Sequence, residues 1–306
     1  MIKFPPRLSR FKRAPAVAPM QLTERDRNII RLVYRHRFLR SSHIVSLIGD
    51  SPQQILRRLK LLYHHGFLER PRSQINYYHQ SGSRHIVYGL GSKSSTFLSQ
   101  ELSAGFRDVP WDERNQSVGG MFLEHALLVS DIMVAIELSC RQRGIRLITE
   151  DELLSNSAPQ RLFRWNVKVD GNVMLSVVPD RVFALEFPDS DGKNTRRFFC
   201  LEADRGTMPV KRAHLCQTSF YRKLLAYQAT WRQKVHQRRF GWDRFRLLTV
   251  TNSDERIIHM QEAVRSLNSG HGLFLFLDSK NLNETNDVLN LPWKSLRDGE
   301  KAFLLD

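Results

Sequence analysis

The sequence has few cysteines, no long apolar run and few acidic residues in its first third. The chain has only three cysteines, Cys140, Cys200 and Cys216, and no CxxC pair. That usage argues against a structural zinc site and a secreted disulfide scaffold, and it favours the reducing cytoplasm. No apolar run approaches the roughly 18 residues of a membrane span. We therefore expect a cytoplasmic protein without a membrane partner.

Acidic residues are scarce in the first third of the chain. Residues 1–100 contain 18 Lys or Arg against 4 Asp or Glu, a net charge of +14, whereas the whole 306-residue chain carries +16. This separation predicts a basic module that binds a polyanion, followed by a near-neutral domain with another task. Residues 1–20 are basic and contain prolines, and we interpret them as a flexible arm.

Residues 21–100 show the pattern of three helices followed by a β-hairpin. Thr23 is a good helix N-cap, and apolar residues recur after it at helical spacing. A short second helix follows. Ser51 and the proline after it begin a third, amphipathic helix that Gly66 ends. Short strands around a turn at residues 81–83 complete the pattern of a winged helix-turn-helix domain.

The third predicted helix offers side chains that can bind DNA. Its N-terminal half carries amide and guanidinium groups outside the apolar stripe, and such groups can contact base edges or phosphates. The residues expected to contact DNA are Ser51, Gln53, Gln54, Arg57, Arg58 and Lys60 in the helix, and Arg84 and His85 in the wing. The alternative is a solvated basic face of an ordinary helical bundle. Because the positive charge coincides with the whole module, we favour double-stranded DNA as the partner.

A second domain is expected after a linker. Residues 101–118 lack sustained periodicity and contain Gly, Pro and mixed charge, so we interpret them as the linker. Residues 119–306 then show a long helix, several strands, a second long helix from about residue 210 to 237, and a strand, a helix and a strand. This order predicts that an α+β module is followed in the chain by an α/β domain with a central mixed sheet.

Three carboxylates lie on neighbouring predicted strands. Asp180 follows one strand, and Glu202 and Asp204 lie on a later strand, where alternation places them on the same face. A hairpin would bring Asp180 beside them. Three oxygen ligands without histidine or thiolate suit Mg²⁺ or Mn²⁺, which would activate water and neutralise charge on a phosphodiester. The alternative is that these carboxylates pair with arginines at the end of the sheet.

This arrangement resembles the core of the PD-(D/E)xK nucleases. In that superfamily the aspartate and glutamate bind metal, and a lysine two residues after the glutamate assists the attacking water. Here that position is Asp204. The resemblance to branches with a displaced lysine points to Lys211, and the Gln-x-x-x-Tyr pattern of RecB-like branches points to Gln217 and Tyr221, which would face the same way on a helix. The catalytic residues that the resemblance implies are Asp180, Glu202, Asp204, Lys211, Gln217 and Tyr221.

The segment around that predicted helix is also basic. From Arg205 to Trp242 it contains nine Lys or Arg residues and no acidic residue. Next to a carboxylate cluster, such a surface could hold a nucleic-acid backbone. A solvated helix face is the alternative.

The order of parts is similar to the replication-relaxation family of plasmids and other bacterial mobile elements. The resemblance rests on LTERDRNIIRLVYRHRFLRSSHI and RRLKLLYHHGFLERP in the first domain and on PDRVFAL and LEADRGT in the second, and it covers most of residues 22–230. It implies DNA binding in replication, relaxation or transfer, with other replication, transfer or transposition proteins as partners. Two alternatives remain: a metal-dependent endonuclease directed by the winged helix, and a transcriptional regulator whose second domain forms a homodimer or binds a ligand.

Overall fold

The protein is described by a computed structural model. It covers residues 9–15, 19–75, 85–101, 115–155, 163–169, 173–188, 191–267, 269–285, 287–296 and 301–306. The chain divides into two compact units, Met1–Val134 and Ala135–Asp306. The predicted turn at residues 81–83, Arg84 and most of the predicted linker lie outside the described residues. None of the described helices combines the length and the hydrophobicity that a membrane span requires.

The first unit combines short helices with a small sheet. Its helices are α1 (Glu24–His36), α2 (Ser41–Ile48), α3 (Pro52–His64) and α4 (Ser92–Glu101). Its strands are β1 (Leu39–Arg40), β2 (Leu68–Glu69) and β3 (Val87–Leu90), which form an antiparallel sheet in the order β1-β3-β2. The three predicted helices are therefore present, and strands follow them in the chain.

Local chemistry explains where these helices begin. Thr23 caps α1 as predicted, and its hydroxyl and backbone N–H form a capping box with Asp26. α3 begins at Pro52, which suits the first helical position because a helix leaves that backbone N–H unbonded. In β3, a Cβ added to Gly89 would lie 2.8 Å from the Phe38 ring, so the strand can pass this ring only with glycine there.

A long helix contains the division between the two units. α5 (Gly120–Arg143) confirms the helix expected at this point of the chain. In the first unit its Leu123 and Leu127 join Phe38 and Val87 in a small apolar cluster.

The second unit is built on a seven-stranded sheet. Its strands are β4 (Arg146–Ile148), β7 (Arg181–Pro188), β8 (Asn194–Ala203), β9 (Phe245–Thr251), β10 (Phe274–Asp278), β11 (Trp293–Lys294) and β12 (Lys301–Ala302). The order is β12-β11-β10-β9-β8-β7-β4, with β8, β9 and β10 parallel and the other neighbours antiparallel. The predicted central mixed sheet is confirmed. Strands β5 (Trp165–Val169) and β6 (Val173–Val177) form a separate antiparallel pair.

The helices of this unit include α6 (Glu150–Ser155), α7 (Phe220–Arg232), α8 (Val235–Phe240) and α9 (Asp254–Arg265). The prediction of one helix from about residue 210 to 237 is wrong. The backbone N–H groups of Phe220 and Tyr221 donate to the carbonyls of Pro209 and Val210, at 3.0 and 2.9 Å, and close the segment between them into a loop. A left-handed residue, Lys234, separates α7 from α8.

Candidate functional site

The hairpin of β7 and β8 brings Asp180 beside Glu202. The strands are antiparallel, with Arg181 opposite Leu201. Just before β7, Asp180 donates its N–H to the Leu201 carbonyl at 3.0 Å and accepts from the Ala203 N–H through Oδ2 at 2.8 Å. Backbone contacts therefore hold the Asp180 carboxylate next to the end of β8, as the predicted hairpin requires.

Glu202 is buried and bound by two side chains of α7. Only 2% of the residue is exposed. The Lys223 ammonium donates to its Oε2, and the Tyr227 hydroxyl donates to its Oε1 at 2.6 Å. Lys223 and Tyr227 are four residues apart on one helix, so they lie on the same face of α7, one turn apart. We call Asp180, Glu202, Lys223 and Tyr227 the carboxylate cluster.

The charges in this cluster depend on one another. Burial raises the pKa of Glu202, and the nearby Asp180 adds to this, while Lys223 and Tyr227 act in the opposite direction. Burial alone would lower the pKa of Lys223, but Glu202 and Asp180 outweigh it and the pKa is raised. Burial and Glu202 raise the pKa of Tyr227. At neutral pH the cluster therefore contains a charged ammonium and a neutral phenol that donate to one buried carboxyl group.

Asp204 belongs to a different set of contacts. Arg256 of α9 donates through Nη2 to Oδ1 at 2.8 Å and through Nε to Oδ2. Oδ2 also accepts from the Thr251 hydroxyl at 2.7 Å and from the Gly206 N–H at 3.1 Å. Asp204 thus fixes the end of β8, the loop after it and the start of α9 to one another.

The three predicted ligands do not fit a three-carboxylate metal site in this arrangement. No group of three His, Cys, Asp or Glu side chains in the described ranges could hold a metal ion. Glu202 binds Lys223 and Tyr227, and Asp204 binds Arg256. Binding of Mg²⁺ or Mn²⁺ stays a prediction, and the structure supports only Asp180 and Glu202 as an adjacent pair for it.

The other predicted catalytic residues lie outside the cluster. The Lys211 ammonium donates to the Ser266 hydroxyl at 3.2 Å and lies 5.3 Å from the centre of the Tyr221 ring. Gln217 is exposed in the loop before α7, so the expectation that it shares a helix face with Tyr221 is wrong. Sequence reasoning missed Lys223 and Tyr227. The signal that could have found them is a Lys-x-x-x-Tyr spacing on the helix after the Glu202 strand.

In the first unit, most of the residues predicted to bind DNA are exposed. Ser51, Gln53, Gln54, Arg57, Lys60 and His85 all lie at the surface. The side-chain oxygen Oε1 of Gln54 accepts from the Arg25 guanidinium at 3.2 Å, so the side-chain NH₂ group of Gln54 remains available as a donor. The N-terminal half of α3 therefore presents amides and cations to solvent.

Arg58 is the exception, because it is bound to a buried carboxylate. Its Nε donates to Oδ1 of Asp26 at 2.8 Å, and its Nη2 donates to Oδ2. Burial acts to raise the pKa of Asp26, but the hydrogen bonds from Arg58 and Thr23 outweigh it and the pKa is lowered. The pair ties α3 to α1. Its geometry suits a role inside the unit better than a contact with DNA.

Part of the segment predicted as a flexible arm is fixed to the first unit. The Arg13 guanidinium donates to the Tyr63 carbonyl at 3.0 Å and to the buried Glu69 carboxylate at 2.6 Å. The Ala14 N–H donates to Nδ1 of His64 at 3.1 Å. Within residues 9–15, Arg13 and Ala14 therefore hold the chain against the end of α3 and the start of the sheet.

A comparison with protein families found a match over most of the chain. The model of a family described as replication-relaxation matches residues 30–242, which is more than half of the chain and extends from α1 to the end of α8. Comparisons with curated proteins and with solved structures found no match.

Proposed function

The chain belongs to the replication-relaxation family, and from this premise we propose that it is a DNA-binding protein acting in the replication, relaxation or transfer of a mobile genetic element. The observation that carries the proposal is the exposed N-terminal half of α3. Its amide and cationic side chains lie in the third of the chain that holds +14 of the net charge of +16. Such a surface is complementary to the phosphates and base edges of duplex DNA.

The architecture of the first unit supports a winged helix-turn-helix interpretation. Strand β1 lies between α1 and α2, and the antiparallel strands β2 and β3 follow α3, the third helix, and complete a three-stranded sheet with β1. In helix-turn-helix proteins this recognition helix enters the major groove and its N-terminal residues contact the bases. Gln53 and Gln54 are then candidates for base contacts, and Arg57 and Lys60 for phosphate contacts.

The proposal can be tested by measuring duplex binding with fluorescence anisotropy, using the full chain and a set of unrelated duplexes. Arg57→Ala with Lys60→Ala should weaken binding to every duplex, because phosphate contacts carry no sequence information. Gln53→Ala with Gln54→Ala should reduce the preference among duplexes, by about 1–3 kcal/mol for each side chain that no longer reaches a base. Lys301→Ala, an exposed lysine of the second unit, is the matched control. Equal affinity of all variants would exclude α3 as the DNA-binding surface.

A second candidate function is cleavage of DNA, and one observation favours it. Lys223 donates its ammonium group to Glu202 from α7, and it is the candidate to replace the lysine that is missing at position 204. The antiparallel β7–β8 pair, the connection through α7 and the parallel β8–β9 pair are also consistent with a PD-(D/E)xK core. In such a site Lys223 could stabilise negative charge on a phosphodiester, and Tyr227 would orient the Glu202 carboxyl group.

Cleavage is tested on plasmid and linear DNA in the presence of Mg²⁺ or Mn²⁺. Asp180→Asn, Glu202→Gln and Lys223→Met should each lower the rate at least about a hundredfold, in line with loss of one charge-stabilising group. Lys168→Met changes an exposed lysine of β5 and should cut like the unmodified chain. Cleavage that persists in all three site variants would rule out the cluster, whereas an uncut substrate with the unmodified chain would leave DNA binding alone.

A further inference from the structure

An open cavity in the second unit is not used by the functions proposed so far. It has a volume of about 340 Å³ and lies between the loop after β8 and the side of α9. Its lining consists of Val210, Lys211, Arg256, His259, Glu262 and Ala263. Binding sites for small ligands begin at roughly 300 Å³, so the cavity can hold one group of that size.

The polar side chains that line the cavity have hydrogen-bond donors or acceptors that no described residue occupies. Lys211 is exposed and uses one of its three N–H donors on Ser266. Arg256 donates to the Asp204 carboxylate through Nε and Nη2, and to the Met208 carbonyl through Nη2. Its Nη1 has no hydrogen-bond partner in the described part of the chain. The exposed side chains of His259 and Glu262 likewise form no hydrogen bond with any residue that the structure describes.

This combination of side chains is complementary to a ligand that is anionic at one end and a hydrogen-bond donor at the other. Lys211 and Arg256 suit a phosphate group. Glu262 would repel a bare phosphate but can accept a hydrogen bond from an exocyclic amine, as carboxylates do from cytosine. Val210 and Ala263 provide apolar contact for the flat base or the sugar. A nucleotide whose base has an exocyclic amine has all of these parts, and inorganic phosphate has only one.

We propose that this cavity binds one nucleotide of single-stranded DNA. The proposal deepens the proposed function and rests on it, since it assumes that the second unit contacts DNA. Its position supports this. Arg256 connects the cavity to Asp204, which is two residues from Glu202 on β8. The cavity and the carboxylate cluster are therefore linked through residues 202–204 at the end of β8.

The test is calorimetric titration of the full chain with each of the four deoxynucleoside 5′-monophosphates, without metal and without duplex DNA. Nucleotides with an exocyclic amine, such as dCMP, should bind more tightly than dTMP. Lys211→Ala should weaken all of them roughly three- to tenfold, as expected for removal of one solvent-exposed ionic hydrogen bond. Glu262→Gln should reduce the preference for dCMP over dTMP. Lys168→Ala is the control with an equal loss of charge on the same unit.

The proposal is overturned by any of three results. These are absence of saturable binding at millimolar nucleotide, binding of inorganic phosphate as tight as that of dCMP, and site variants that bind like the control. Duplex binding by the Arg57 and Lys60 variants is measured separately and does not involve the cavity. If those variants lose duplex affinity while Lys211→Ala leaves nucleotide binding intact, the cavity is rejected and the proposed DNA-binding function stands.

Discussion

The residue at position 204 departs from the PD-(D/E)xK pattern and takes part in contacts of a different kind. The PD-(D/E)xK pattern has a lysine there, and this chain has an aspartate bound to Arg256. The ammonium group beside Glu202 belongs instead to Lys223, which follows Glu202 by 21 residues in the chain. Because nine cations occur between Arg205 and Trp242, the sequence alone could not show which one lies near the carboxylate. Asp180 and Glu202 were predictable because strand alternation and a hairpin are local rules.

The pair of Asp26 and Arg58 leads to a prediction about stability and pH. Asp26 is buried, and its pKa in the folded state is below the ordinary value of 3.8. A lowered pKa means that the carboxylate stabilises the fold above its unfolded-state pKa and loses this contribution as the pH falls through the folded-state pKa. Asp26→Asn should lower the free energy of unfolding at pH 7 by about 3 kcal/mol, since it leaves Arg58 without its charge partner.

Urea unfolding at pH 7 and pH 3, followed by circular dichroism, measures this effect. The difference between Asp26→Asn and the unmodified chain should be smaller at pH 3, because that pH is below the ordinary pKa of 3.8 and the carboxyl group is then mostly protonated in the unfolded chain. Asp50→Asn is the matched control, because Asp50 pairs with Arg25 at the surface of the same unit. It should cost less than about 1 kcal/mol. A pH-independent difference would contradict the assignment of this stabilisation to the Asp26 charge.

At the scale of elements, the sequence predicts segments whose signals are local. The helices α1 and α3 of the first unit have N-terminal signals and apolar stripes, and β7, β8, β9 and β10 contain short apolar segments. The loop before α7 was missed because its boundary depends on backbone bonds from Phe220 and Tyr221 to residues 11 positions earlier. Such bonds have no sequence pattern. β4 has three residues at the edge of the sheet, too few for a periodic signal.

The arm segment leads to a prediction of its own. Glu69 is buried, and Arg13 is its cationic partner in the arm. Arg13→Ala should therefore lower the free energy of unfolding by about 1–2 kcal/mol, because a buried carboxylate loses a charged hydrogen bond. Lys12→Ala removes the same charge from the neighbouring exposed position and should have almost no effect. Adding Glu69→Gln to Arg13→Ala should recover part of the loss in a double-mutant cycle measured by urea unfolding. Equal stability of the two single variants would show that the attachment contributes nothing.

At the scale of the whole molecule, the main feature is the separation of charge between the two parts of the chain. Residues 1–100 hold +14 of the net +16, and the remaining residues are nearly neutral. This asymmetry, the order of a helical module before an α/β domain, and the mixed sheet were all predictable from composition and periodicity. The partners of individual side chains in the carboxylate cluster were not, because they depend on packing between segments distant in the sequence.

The charge separation predicts a steep dependence of duplex binding on salt. Each phosphate contact contributes about −0.9 to the slope of log K against log salt concentration. Arg57→Ala with Lys60→Ala should therefore reduce the magnitude of the slope by about 2. The slope of the Lys301→Ala control should match that of the unmodified chain. A flat salt dependence of the unmodified chain would contradict binding to phosphates altogether.

The parallel pairing of β8 and β9 has a consequence for the order in which the two units fold during synthesis. Glu202 lies opposite Thr249, and Arg256 holds Asp204, so both neighbours come after residue 242, where the family match ends. N-terminal domains generally fold first on the ribosome. A nascent chain would thus complete its basic unit while the sheet around Glu202 still lacks a strand. If the proposed function holds, a chain still attached to its ribosome could already bind nearby DNA. The sheet that supports the carboxylate cluster would then be completed only in chains whose synthesis has passed β9.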